Sequence, residues 1–166
     1  MKKSILILSL GMAVLPLTQC SPKAEAPAAS TSATPAAIDY GYDIALSFTP
    51  AALEKIKARG SQMEISALYY GNARPSTVQL ADPKDGTIHL NTDTLQVEAR
   101  DQTVHMTGAG AQTENLQHIT GQKPLVLINI YSTKDGKKDG LIGCGVFQDY
   151  VESAQAKPVA IHCDLK

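Results

Sequence analysis

The chain has 166 residues with 15 Lys and Arg against 16 Asp and Glu, giving a formal net charge of -1, enough for one domain with appendages but not for two separate cores. That balance excludes the clustered positive field that nucleic-acid binding needs, so no nucleic-acid partner is expected. With no Trp and two Phe, the interior must be built from Leu, Ile, Val and Tyr, which suits a modest packed core better than a large ligand cavity.

Met1-Lys2-Lys3 is followed by an apolar run from Ile5 to Leu15 and then by Pro16, the layout of an export signal. The run is shorter than the roughly 20 residues a helix needs to cross a bilayer core, so it predicts a removable leader rather than a permanent span. Leu17-Thr18-Gln19-Cys20 resembles the lipobox of bacterial lipoproteins, with Leu three places before the cysteine, although Gln19 stands where Gly, Ala or Ser is usual. The resemblance implies that residues 1–19 are a lipoprotein signal peptide and that Cys20 receives a diacylglycerol and becomes the new amino terminus. It implies an exported protein joined to a membrane through that lipid, and two acyl chains hold firmly at about 0.8 kcal/mol per buried methylene. Ser21, rather than Asp, at the next place implies sorting to the outer membrane, on its periplasmic face or at the cell surface. After Cys20, the stretch from Ser21 to Ala37 is almost entirely Ala, Pro, Ser and Thr. It has no apolar periodicity from which to make a core face, so residues 20–37 are expected to be a lipidated, disordered spacer.

Residues 38–166 carry the patterns of a folded domain. From Tyr40 to Phe48, Tyr42, Ile44, Leu46 and Phe48 alternate with smaller or polar residues, the period of a strand buried on one face. Thr49-Pro50 starts a helix by capping its free amides and presetting its first turn, and Gly60 closes it, with Leu53 and Ile56 inward. Met63, Ile65, Ala67 and Tyr69 form a second alternating strand, ended by turn chemistry at Gly71-Asn72. Between Val78 and Gly108 short alternating pieces around Ile88, Leu95 and Val104 are separated by Asp85-Gly86, Asn91 to Asp93 and Arg100 to Gln102, predicting hairpins of a meander. Leu125 to Tyr131 is the most apolar run after residue 37 and predicts a central strand covered on both faces. Ser132 to Gly140 reads as a polar turn, the residues beyond it divide between a short strand and a helix near Phe147 to Gln155, and Val159 to Leu165 reads as a closing strand. The fold class expected is mainly β: a small antiparallel β-sandwich, immunoglobulin-like or transthyretin-like, with one or two short helices. The closing strand is also a candidate sheet edge open to a partner strand.

With Cys20 given to lipid, Cys144 and Cys163 remain, and in an oxidising compartment they are expected to form a structural disulfide. No nucleophile elbow, phosphate loop, dinucleotide fingerprint or H-E-x-x-H helix is present, so no enzyme activity and no cofactor are expected. His89 and His105 are expected to face each other across a meander, the arrangement of a two-His metal pair, but no third ligand is evident and no metal site is assigned. The Asp135 to Asp139 turn lacks the ligand spacing of a calcium loop. Tyr70, beside Gly71-Asn72, is a candidate contact anchor, and Asn72, Lys137 and Lys138 are the other candidate contact residues. The function expected is a lipid-anchored, non-catalytic envelope protein whose domain binds another envelope protein. The alternatives are an inhibitor or immunity lipoprotein that plugs a periplasmic hydrolase with Asn72–Pro75 or Lys134–Gly140, and a metal- or small-ligand-binding protein built on His89 and His105.

Overall fold

The structure is a computed structural model that describes residues 38–166. Residues 1–37, on which the expected signal peptide, the expected lipidation of Cys20 and the expected spacer fall, lie outside the described residues. The elements are β1 (Tyr42–Phe48), α1 (Pro50–Arg59), β2 (Gln62–Asn72), β3 (Thr87–Val97), β4 (Gln102–Met106), β5 (Leu125–Lys134), β6 (Lys137–Lys138), β7 (Ile142–Cys144), β8 (Phe147–Tyr150), α2 (Val151–Ala156) and β9 (Val159–Leu165). They form a small β-sandwich, as the alternating patterns predict. One sheet has the order β4-β1-β9-β7, and the other has the order β3-β2-β5-β6 with β8 also paired to β5. Every strand pair is antiparallel except β1 with β9, which run parallel with Ile44 opposite Val159 and Phe48 opposite Cys163.

One core lies between the sheets. Tyr42, Ile44, Leu46 and Phe48 of β1 meet Met63, Ile65, Ala67 and Tyr69 of β2 and Val126, Ile128 and Ile130 of β5 in a single buried cluster. The period of two in each strand produces this, because every second side chain falls on the same face. Helix α1 begins as its sequence predicts. The Thr49 side chain accepts from the Ala52 amide at 3.4 Å, Pro50 occupies the first turn, and Gly60 ends the helix at φ 65°. Its Ala52 and Ile56 are buried against the core, and α2 adds Val151 and Ala154.

Four sequence expectations are corrected. Gly71-Asn72 is not a turn, because β2 runs through both residues and Asn72 pairs with Thr87. Gly71 is required by close packing instead: a β-carbon there would lie 2.6 Å from Ile119 Cδ1. The stretch from Ile88 to Met106 is not a meander. Asn91 to Asp93 continues β3 through a register shift opposite Leu68 to Tyr70, and β4 crosses to the other sheet to pair with β1. Strand β5 is interior to its sheet, but only one of its faces is buried; Leu125, Leu127, Asn129 and Tyr131 on the other are half-buried. The closing strand β9 is not an edge, since β1 flanks it on one side and β7 on the other.

Cys144 and Cys163 stand directly opposite each other on β7 and β9 and are joined by a disulfide. Asp135-Gly136 makes the tight turn between β5 and β6 with φ of 51° and 73°, the positive pair that a two-residue hairpin turn needs.

Candidate protein-docking face

The two outer faces of the sandwich differ in chemistry, and strand register decides which side chains meet on each. On the outer face of the five-stranded sheet, β2, β5 and β8 line up in rows. Tyr70, Leu125 and Tyr150 form the first, and Leu68, Leu127 and Gln148 the second. Ser66 with Asn129, and Glu64 with Tyr131, continue it. The leucines and Tyr70 are half-buried, Tyr150 is 42% exposed, and among the described residues no layer packs over them. Leu68 and Leu127, neighbours across the ladder, place aliphatic surface beside two tyrosines, and a sheet face of this kind gains free energy when a partner removes it from water.

The polar groups around that apolar patch are held in place. Gln148 Nε2 donates to Tyr70 Oη at 2.5 Å, bridging β8 to β2 over the β5 leucines. At the other end Tyr131 Oη donates to Glu64 Oε1 at 2.6 Å, and Lys138 Nζ lies 3.7 Å from the centre of the Tyr131 ring. Burial first, then the bonded Glu64 carboxylate, pushes the Tyr131 hydroxyl above its ordinary pKa, so it remains a donor. Rigid aromatic side chains with fixed polar tips lose little conformational entropy when a partner covers them.

No protein family, curated protein or solved structure significantly matches the chain.

Of the candidate contact residues, Tyr70 sits in the apolar rows, Asn72 ends the same strand face, and Lys138 reaches the opposite end through Tyr131. Lys137 is placed otherwise: it is paired with Lys134, and strand alternation turns it to the other side of β6. Sequence reading missed Leu68, Leu125, Leu127, Tyr131, Gln148 and Tyr150. The signal was the two-sided apolar character of Leu125 to Tyr131, which reads equally as a strand covered by a second layer and as a strand with one face awaiting a partner.

The outer face of the four-stranded sheet is polar. His105 Nδ1 is 2.9 Å from Asp43 Oδ1, because His105 and Asp43 are register partners. The parallel register sets Ser47 opposite His162, with Ser47 Oγ 2.9 Å from His162 Nδ1, and His162 Nε2 lies 3.5 Å from Asp164 Oδ1. This Ser, His and Asp constellation joins residues 47 and 162, so no local motif announces it.

His89 and His105 do not face each other. His89 belongs to β3 in one sheet and lies opposite Tyr70, whereas His105 belongs to β4 in the other. The pairing imagined for them required a β3–β4 hairpin that does not form. Among the described residues no group of three or more His, Cys, Asp or Glu is placed to hold a metal ion. The two loops considered as plugs are both tied down. Arg74 N and Thr77 Oγ1 donate to His118 O, and Arg74 Nη1 donates to Gln117 O, fixing Asn72–Pro75 to the neighbouring turn. In Lys134–Gly140, the Asp139 carboxylate accepts from Ser132 Oγ and from Ser61 Oγ.

Proposed function

We propose that the chain is a lipid-anchored envelope protein, held to the outer membrane through Cys20, whose sandwich binds another envelope protein without catalysing a reaction. The contact surface is the outer face of the five-stranded sheet. The observation that carries the reading is the half-buried patch of Leu68, Leu125 and Leu127, drawn from two adjacent rows and framed by Tyr70, Tyr131 and Tyr150, a composition typical of the centre of protein interfaces rather than of solvated sheet surface. The lipobox-like Leu17 to Cys20 supports the address. The Cys144–Cys163 disulfide is consistent with an oxidising compartment.

The test uses the full chain expressed in bacterial cells. A photo-crosslinking amino acid at Leu127 is expected to capture one predominant envelope protein, and the mature terminus is expected to be an acylated Cys20 by mass analysis. Leu127→Arg should abolish binding of the captured partner while leaving the melting temperature close to that of the unchanged chain, since Leu127 is outside the core. Capture of no protein from Leu127, with capture from a site on the His162 face, would move the contact to the other sheet. An unlipidated terminus elsewhere would remove the anchor from the proposal.

A further inference from the structure

We propose that two copies of this chain associate through the free edge of β3, which pairs antiparallel with its own copy about a two-fold axis near Leu95. This contact is separate from the docking face and does not depend on it.

Among the described residues, the sandwich has several sheet edges, and they differ in how well they are protected. Strand β6 has two residues and both are lysines; β7 has three and is pinned by the disulfide; β8 has four and runs straight into α2; β4 has five. Short strands and lysines are the usual devices by which a sheet edge avoids pairing with another chain. Strand β3 uses neither. It has eleven residues without Lys, Arg or Pro, and from Thr92 to Val97 its pairing with β2 is regular, Leu68 opposite Thr92 through Met63 opposite Val97.

Its single acid is directed away from the edge, because Asp93 Oδ2 accepts from the Gly110 amide at 3.2 Å. The loop contacts that cover β3 are at its start, where Asp82 N donates to Thr87 O and Asn115 Nδ2 to His89 O. Apart from the Gly110 amide on the Asp93 side chain, no loop backbone of the described residues bonds to Asp93–Val97, and none bonds to the main chain of that segment. Strand pairing needs a run of unused amides and carbonyls, and the far side of this segment supplies one.

The occupant is a second copy because the segment is complementary to itself. With Leu95 on the axis, Leu95 faces Leu95 of the other copy, Thr94 faces Gln96 and Asp93 faces Val97. No like charges are set opposite each other, and there is no net-charge complementarity that would select a foreign basic or acidic strand. Leu95 gains most. Its partner Ile65 is fully buried, yet Leu95 on the same inner face is 37% exposed because β3 overhangs the cleft it shares with His105, Met106 and Thr107. Two copies would close that gap leucine against leucine. A two-fold contact of this kind is closed, and the remaining edges are too short or too charged to extend it, so association stops at the dimer.

The experiment is disulfide crosslinking of a Leu95→Cys variant of the full chain in expressing cells, read on a non-reducing gel. A reducible species of twice the chain mass is expected, absent for the unchanged chain and for Thr103→Cys, which puts a cysteine on the outer face of the other sheet. Adding Thr94→Lys, which places a lysine on the outer side of β3 and leaves the core alone, should lower the crosslinked fraction at least about tenfold. The purified unchanged chain should sediment as a dimer at high micromolar concentration and Thr94→Lys as a monomer with a similar melting temperature. A monomer at all concentrations, or Leu95→Cys crosslinking only to a different protein, overturns the proposal; the second outcome assigns the edge to a foreign strand.

Discussion

The hydroxyl of Tyr42 lies 3.1 Å from that of Tyr69 inside the core, so that a hydrogen bond ties β1 of one sheet to β2 of the other. Both rings are buried, and Asp93 stands near them, so the bond shares its surroundings with a negative charge. Burial is the main cause that pushes Tyr42 up to about 12; the Tyr69 hydrogen bond opposes it and Asp93 adds to it. Tyr69 is pushed higher still, first by burial and then by Tyr42 and Asp93.

This pair predicts an alkaline limit to stability. A phenol with a raised folded pKa holds its proton more tightly in the folded state than in the unfolded chain, so its contribution is complete below the ordinary value of 10.0 and falls as pH rises toward about 12. Denaturant midpoints measured from pH 8 upward should fall above pH 10, and the double variant Tyr42→Phe, Tyr69→Phe should flatten that limb. At neutral pH, Tyr69→Phe alone should cost about 1–3 kcal/mol by leaving the Tyr42 hydroxyl without this partner. The double variant should cost less than the two single variants added, since it removes both ends of one bond. Strict additivity in urea denaturation would show that the hydroxyls are not coupled.

The disulfide predicts a second, separable loss. It joins residues 19 apart in sequence and locks the end of β7 to β9. Closing a loop of that size contributes about 3 kcal/mol in the chain-entropy model, so Cys144→Ser with Cys163→Ser should lower the melting temperature by roughly 10 °C. Reductant should do the same to the unchanged chain and nothing to the double variant. Hydrogen exchange should rise first in Leu141 to Gly145, because β7 has only three residues of ladder to hold it once the bond is gone.

Much of this architecture is legible from residue alternation alone. Tyr42 to Phe48, Met63 to Tyr69 and Val159 to Cys163 each place their apolar residues on one face, and the core between the sheets is made from those faces. Thr49-Pro50 and Gly60 mark α1 because capping is a local matter. What alternation does not carry is partner choice: the parallel pairing of β1 with β9 brings Ser47 to His162 across 115 positions, and β4 joins β1 rather than β3. Gly71 and Asn91 to Asp93 have turn composition, yet packing against Ile119 and pairing with β2 keep them in strands. The proposed docking face is not legible for a related reason, since apolar residues on both sides of Leu125 to Tyr131 do not reveal whether the second cover comes from the same chain.

Asp139 predicts an acid limit. Its carboxylate accepts from Ser61 Oγ at 2.6 Å, from Ser132 Oγ and from the Leu141 amide at 3.2 Å, tying the end of the β5–β6 hairpin to the start of β2. Burial alone would raise its pKa, but these donors together with the Arg59 charge hold it below its ordinary value of 3.8. A lowered folded pKa stabilises the protein above the ordinary value and ceases to do so as pH falls through the folded one. Asp139→Asn should therefore destabilise the domain at pH 7 and reduce its sensitivity to pH below 3.8. Thermal melts of both proteins from pH 7 to pH 2 check this; parallel curves over that range would show that Asp139 is not the acid-sensitive group.

Ser47, His162 and Asp164 predict an absence of hydrolysis despite their resemblance in kind to a catalytic trio. A hydrolytic serine needs amide donors aimed at the oxyanion and a site that excludes water. Here the three lie on an open sheet face, the backbone of β1 is paired to β4 and β9 on its two sides, and the His162 and Asp164 side chains are 54% and 60% exposed. Ser47→Ala should change the rate of nitrophenyl acetate hydrolysis by less than about twofold at equal protein concentration. It should also change stability by less than about 0.5 kcal/mol, as is usual for a polar group on a solvated surface. A tenfold or greater loss of rate in Ser47→Ala, matched by His162→Gln and absent from Asp43→Asn on the same face, would assign nucleophilic catalysis to this trio and overturn the non-catalytic reading.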